Sequence, residues 1–483
     1  MDRSAPDEVP RHSGAVKSLH MKTAIRVIAL LLLLGLLSGP TWLPPTVEGE
    51  AAADAAGASA VAWWPMKYHD PQHTAGSPLV GPEAPHLKWS FDAGSHIMEP
   101  AVAAPDGTIY FVASDSTGNT LFALDPEGTL KWRYDLPHGE WVCANSLALG
   151  TDGTIYFGSG RTVEIREPSG AVGSHSEPVG FHALSPEGQL RLTFPADGMV
   201  AGPVVVGHDG TIYFSTTREN YSEGDPGRFA YLYALNPDSS VRWRYGADGW
   251  ITYFAVAPGG EVYFTLWSAE SLYALDTEGA PRWDCRMTEE VPAPVIGADG
   301  AIYLDAISLI VLDPDGSVRS VLGGEGVSVH GCPAIAVHGT IYAVGTREVK
   351  NDGRRLLPTL SAFGADGDVR WTYRPDDSEW ASGWPIVDGA GTVYAGSVDG
   401  RLSAIANGTQ KWVCQLGEDR LASPIIAGDG TLYVGSANGT LYAVGNTGSP
   451  VADGQTLGAW VWVVVGLAVV SAAGIAVLRL ARR

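Results

Sequence analysis

Asp106-Gly107-Thr108-Ile109-Tyr110 is followed by Leu121-Phe122-Ala123-Leu124 and then by Lys131-Trp132, and the return of these three short motifs in this order decides the fold. Asp-Gly supplies the positive φ that a tight hairpin turn needs, and the alternation after it is that of a strand. The first motif returns as DGTIY at 152–156 and 209–213, GGEVY at 259–263, DGAIY at 299–303, HGTIY at 338–342, AGTVY at 390–394 and DGTLY at 429–433, making eight copies. Their tyrosines are 39 to 57 residues apart, which suits blades of four short strands.

The second motif recurs as FHAL, LYAL, LIVL, LSAF, LSAI and LYAV between residues 181 and 444. The outer strand carries Trp89, Trp132, Trp243, Trp283, Trp371 and Trp412, with weaker copies at 191–194 (RLTF) and 318–321 (VRSV). The chain begins this pattern with an outer strand, HLKWSF at 86–91, and ends it on LYAV with no outer strand to follow. The first outer strand is therefore expected to complete the last blade, which closes the ring and removes exposed sheet edges. The expected fold is all-β: an eight-bladed propeller of four-stranded antiparallel blades over 63–445, closed by an N-terminal outer strand, with one C-terminal transmembrane helix.

The helix is expected at 457–478, where 22 residues carry no charge, enough to cross a bilayer. Trp460 and Trp462 mark its start, and Arg479, Arg482 and Arg483 follow it, so the tail 479–483 is expected in the cytoplasm and the propeller outside. Residues 27–37 form an 11-residue apolar run after Lys17, Lys22 and Arg26, too short to span a membrane and typical of an export signal. Residues 1–45 thus read as a signal peptide or signal anchor with a polar leader, and 46–62 and 446–456 as linkers. A net charge of −22 without a basic stripe argues against nucleic acid as a partner.

The repeat D-G-T-I-Y…L-Y-A-L…K-W, with Trp64-Pro65-Met66-Lys67-Tyr68-His69-Asp70 just before the ring, resembles the pyrroloquinoline-quinone (PQQ)-like β-propeller repeat family. That family includes quinoprotein alcohol dehydrogenases and the lipoprotein scaffold of the outer-membrane barrel-assembly machine, so the resemblance implies a fold more than a function. It also implies, for the enzymes, PQQ and calcium in the central channel, commonly beneath a disulfide between adjacent cysteines. This chain has no adjacent pair: its cysteines are Cys143, Cys285, Cys332 and Cys414, with no haem-attachment or metal-ligand spacing. Cys285 and Cys414 stand where other copies have tyrosine, which reads as packing. His69 and His73 are four residues apart, but Pro71 between them argues against a helical metal site and favours a clamp packed on the ring. No catalytic, cofactor-binding or metal residue is assigned.

Extra residues fall at 160–180, 216–230 and 347–358, all between the second and third strands of a blade. Such loops share one face with the blade-to-blade connections, and elaborated loops on a rigid scaffold are where binding lives. The candidates on this face are Trp141, Arg218, Tyr221, Arg354, Arg355 and Trp380. Asn220 is the candidate glycosylation site, while Asn407-Gly408 and Asn438-Gly439 read as hairpin turns. The function expected is a membrane-tethered extracytoplasmic scaffold or binding module for a protein or polymeric ligand. The alternative is a PQQ-dependent alcohol or sugar dehydrogenase that passes electrons to a membrane acceptor.

Overall fold

A computed structural model describes residues 63–450, except 117, 145, 167–171, 220–227, 267–270, 288–292, 306–307, 323–326, 330–331, 350–354 and 376–383. The described strands form eight antiparallel sheets arranged as propeller blades. Blades 1 to 7 occupy residues 102–135, 140–194, 199–248, 251–286, 295–322, 327–373 and 386–415. Blade 8 takes its three inner strands from 425–445, and its fourth, His86–Asp92, from the start of the ring. That strand lies antiparallel to Thr440–Gly445, with Trp89 opposite Ala443 and Asp92 opposite Thr440. The expected closure is present, and it has an addition: Ser449–Pro450 pairs with His86–Leu87 and covers one end of the closing strand's outer edge.

The repeated residues have repeated jobs. In the D-G-T turn of blade 1 the Gly107 N–H donates to the Ala104 carbonyl at 2.9 Å, and Asp106 Oδ1 accepts from the Thr108 N–H at 2.9 Å. Gly107 has φ +83° and its seven counterparts lie between +78° and +92°, a region closed to most side chains. The tyrosine that follows turns to the outer-strand tryptophan of its own blade. Six such pairs, from Tyr433–Trp89 to Tyr394–Trp412, have ring centroids 5.4 to 5.9 Å apart.

The tryptophan also fastens its blade to the next. Trp89 Nε1–H donates to the Pro126 carbonyl of blade 1 at 2.9 Å, and Trp132 to Pro186 of blade 2 at 2.8 Å. Its ring lies where a Cβ on the neighbour's turn glycine would go, 2.5 Å from Trp89 Cδ2 in the case of Gly128. Blade 2 has Leu192 in place of the tryptophan, and the turn of blade 3 that it would meet has Ser239 in place of glycine, held at φ +65°; blade 5 also lacks the tryptophan, yet the blade 6 turn keeps Gly367, which lies against Leu322. Where the D-G-T turn carries an acid, the basic residue before the tryptophan can reach back to it, as in Lys88–Asp429 (2.9 Å) and Arg242–Asp209 (3.1 Å), whereas in blades 6 and 7 Arg370 pairs with Asp366 and Lys411 with Glu83. These half-exposed pairs contribute at most about 1 kcal/mol each.

Both kinds of tight turn, the D-G-T turn and the turn before the outer strand, lie on one face of the ring, the turn face. Connections between the second and third strands, and those between blades, lie on the opposite, hairpin face. The inner strands are short, many of them two residues (Val102–Ala103, Ala148–Leu149, Val295–Ile296), and their pairing is completed by the segment from Trp64. This segment follows the inner wall near the turn face. Trp64 pairs with Ala103 of blade 1, and the carbonyls of Pro65, Pro71, Gln72, Thr74 and Ala75 accept from blades 2, 4, 5, 6 and 7 at 2.7 to 3.0 Å. Gln72 Nε2 lies 3.3 Å from His208 of blade 3. The clamp expected from the sequence therefore runs inside the ring as a strap that joins the blades at the axis. It leaves over blade 7, where Trp412 Nε1–H donates to the Pro82 carbonyl at 3.1 Å.

Candidate binding face and axial channel

The described parts of the extra segments in three blades are strand extensions, where the sequence reading had loops. In blade 2, Ile155–Arg166 and Val172–Leu184 pair up to Arg166 opposite Val172. In blade 3 the hairpin is Ile212–Glu219 with Arg228–Leu235, and in blade 6 it is Ile341–Val349 with Arg355–Phe363. Alternating stretches such as Thr162-Val163-Glu164-Ile165 allow this, because once two strands are paired each further residue adds ladder hydrogen bonds.

Of the candidates read from sequence, Trp141 lies in Glu140–Val142, which pairs with Ser159–Arg161 at the inner edge of the blade 2 hairpin. Trp141 is half-buried, with Cζ2 2.9 Å from where a Cβ on Gly160 would be, and Met199 Sδ shares that space at 3.1 Å. It supports the hairpin. Arg218 is exposed on the hairpin of blade 3, opposite Phe229. Tyr221, Arg354, Trp380 and Asn220 lie outside the described residues, and for Arg355 only the strand position is described.

Beside Arg218 stands a cluster that the sequence reading missed. Phe229, Tyr231 and Tyr233 alternate along one side of the third strand of blade 3, facing blade 2. Phe229 is 37% exposed and meets Tyr231 edge-on at 4.8 Å. Both rings lie across Gly246, where an added Cβ would be 2.8 Å from Phe229. The Arg244 guanidinium lies 4.3 Å from the Tyr231 ring centre and pairs with Asp197, which also accepts from the Tyr233 hydroxyl at 3.1 Å. Exposed aromatic rings with a held arginine are the composition of protein-binding hot spots. The signal was the i, i+2 spacing of Phe229, Tyr231 and Tyr233 with Arg244 directly across from Tyr233, hidden inside two of the repeat motifs.

On the axis, the strap places Lys67, Tyr68, His69 and His73 in the interior. The Lys67 ammonium is 4.7 Å from the Tyr68 ring centre, 5.7 Å from Trp384 and 5.8 Å from Tyr253. Burial lowers its pKa to about 8, and Glu99 opposes that shift. A cavity of about 120 Å³ borders it, lined by Glu99, Ser114, Asn119 and Ser146 among others. His73 is fully buried, neither ring nitrogen has a hydrogen-bond partner, and burial lowers its pKa to about 3, so it is neutral at pH 7. Burial raises Asp70, but hydrogen bonds from His69 and Thr74 outweigh it and hold the carboxyl below its usual range.

His69 and His73 do not converge: His69 packs on Trp64 at 4.8 Å and His73 on Tyr68 at 5.0 Å. Among the described residues, no group of three or more His, Cys, Asp or Glu is arranged to hold a metal ion. None of the four cysteines is in a disulfide. Burial pushes the Cys143 and Cys332 thiols up to about 12 and about 11, which suits packing and not nucleophilic chemistry. Asp305 is a buried carboxyl whose two oxygens have no partner, and burial raises its pKa to about 8.

Eight closed blades, a strap at the axis and a patterned rim define a β-propeller with an elaborated hairpin face. Its repeats resemble those of the PQQ-like β-propeller family. The family model described as "Outer membrane protein assembly factor BamB" matches residues 329–459. Among solved structures, BamB from Moraxella catarrhalis is similar at 16% identity, covering 75% of this chain and 98% of that one, with a TM-score of 0.49. The WD40 β-propeller domain of Doa1 is similar at 12% identity, covering 76% and 99%, with a TM-score of 0.42. No curated protein matches the chain.

Proposed function

We propose that this chain is a membrane-tethered, extracytoplasmic scaffold whose hairpin face binds a protein or polymeric ligand, and that it works without a quinone cofactor. The observation that carries the reading is the cluster on blade 3, where Phe229, Tyr231, Arg244 and Arg218 come together on a closed ring. The tether comes from the sequence: the 22 uncharged residues of 457–478 lie outside the described residues, and within them no helix is long and apolar enough to cross a membrane.

A photoreactive amino acid placed at Phe229 in the full chain, in its native cell, tests the scaffold reading. A discrete macromolecular adduct is expected, absent when the probe is at Glu127 on the turn face and lost with Arg244→Glu. Equal adducts at both positions would refute it. Added PQQ and Ca²⁺ are expected to give no bound quinone absorbance. Stoichiometric uptake with dye-linked oxidation of an alcohol or sugar would replace this reading with the dehydrogenase.

A further inference from the structure

Both ends of the described chain leave through the same face. Trp64 pairs with Ala103, the last residue of its inner strand before the turn at 104–107, so the segment before residue 63 joins at the turn face. At the other end Thr440–Gly445 runs toward that face, the chain turns, and Ser449–Pro450 runs antiparallel to the first residues of the closing strand. Leu87 faces Ser449 and His86 faces Pro450, so the chain is again heading for the turn face when it reaches residue 450.

The uncharged stretch begins at 457, after six residues, 451–456. At about 3.3–3.6 Å per residue, six residues span no more than about 22 Å.

We infer that the turn face opposes the bilayer and that the hairpin face addresses the aqueous space away from it. This rests on the membrane-tethered reading above. The second strand of blade 2 has 12 residues, so at about 3.3 Å each the blade carries its tip about 40 Å from the turn face. The partner that fits the hairpin face is then a macromolecule displayed or dissolved beyond the membrane surface, and not a lipid or an acceptor embedded in the bilayer. The turn face itself is poorly suited to adhere to anionic lipid, since exposed carboxylates such as Glu127, Asp238, Asp315 and Asp368 project from it.

The test uses the full chain in phosphatidylcholine vesicles whose headgroups carry an energy-transfer acceptor. A donor is attached through Glu127→Cys or Asp315→Cys, on opposite sides of the turn face, or through Thr162→Cys on the hairpin of blade 2. Cys285→Ser removes the one native cysteine that is not buried. Transfer from positions 127 and 315 is expected to exceed that from 162 several-fold. Equal transfer, or a reversed order, in chains that co-float with the vesicles overturns the orientation and leaves the tether standing. A chain that does not co-float overturns the tether and the orientation with it.

Discussion

The turn face and the hairpin face are built from the same strands, yet they follow opposite rules. On the turn face the D-G-T acid, the glycine behind it, the tyrosine and the tryptophan recur from blade to blade, because each fills space or completes a bond left by its neighbour. On the hairpin face three blades are extended and the others are not, and the extended ones expose Arg218 and Phe229. One face holds the ring together, and the other is free to vary. Substitutions should therefore cost stability on the first and leave it nearly unchanged on the second.

The largest effect is expected from Trp412→Ala. Trp412 is 8% exposed, packs on Tyr394 at 5.7 Å and donates to Pro82, where the strap crosses to the closing strand. Losing that ring should cost about 3–5 kcal/mol in a denaturant titration. Phe229→Ala on the hairpin face should stay within about 0.5 kcal/mol. If both cost the same, the division between the faces is wrong.

Gly128→Ala comes next. At φ +84° a Cβ would meet the Trp89 ring at 2.5 Å, so the blade 8 to blade 1 contact has to open. A cost of about 1–3 kcal/mol is expected from backbone strain, read as a lower melting temperature.

Asp305 breaks the comparison from inside the protein, because it is a charge-capable group with no partner near the hairpin-face end of its strand. Its pKa rises from 3.8 to about 8 on folding, so the folded chain binds a proton that the unfolded chain has already released. Stability from this group is present below about pH 4 and is lost as pH rises toward 8. Asp305→Asn should therefore change little at pH 4 and add about 1–3 kcal/mol at pH 9. Denaturation midpoints for both chains across that range decide it, and a gain independent of pH would show that Asp305 is not the titrating group.

The turn face was largely legible in the sequence because close packing there admits few residue types: only glycine fits beneath Trp89, and the lone outer strand at 86–91 had to complete blade 8. The strap was not. Its partners are mostly inner strands of two residues, too short to show a period, and its bonds are made largely by backbone carbonyls that carry no side-chain signature. The aromatic cluster of blade 3 was hidden for a different reason. Tyr233 and Arg244 sit inside copies of L-Y-A-L and K-W, where a repeat reading explains every residue by the fold and leaves none for a site.

The smallest predicted effect tests that same coupling between blades. At Ser239 the backbone keeps the left-handed turn, φ +65°, that glycine adopts in other copies, although Leu192 of blade 2 brings no tryptophan ring to lie against it. Steric demand for glycine is thus gone while the conformational demand remains. Ser239→Gly should relieve about 1 kcal/mol of left-handed strain. It loses roughly half of that again to the greater freedom of the unfolded chain. A net gain of about 0.5 kcal/mol is expected in equilibrium unfolding. The matching change in blade 2, Leu192→Trp, should then be tolerated only in the Ser239→Gly background, because the added ring needs the space that a Cβ occupies. Equal tolerance in both backgrounds would show that the glycine serves the turn alone and not the docking of one blade on the next.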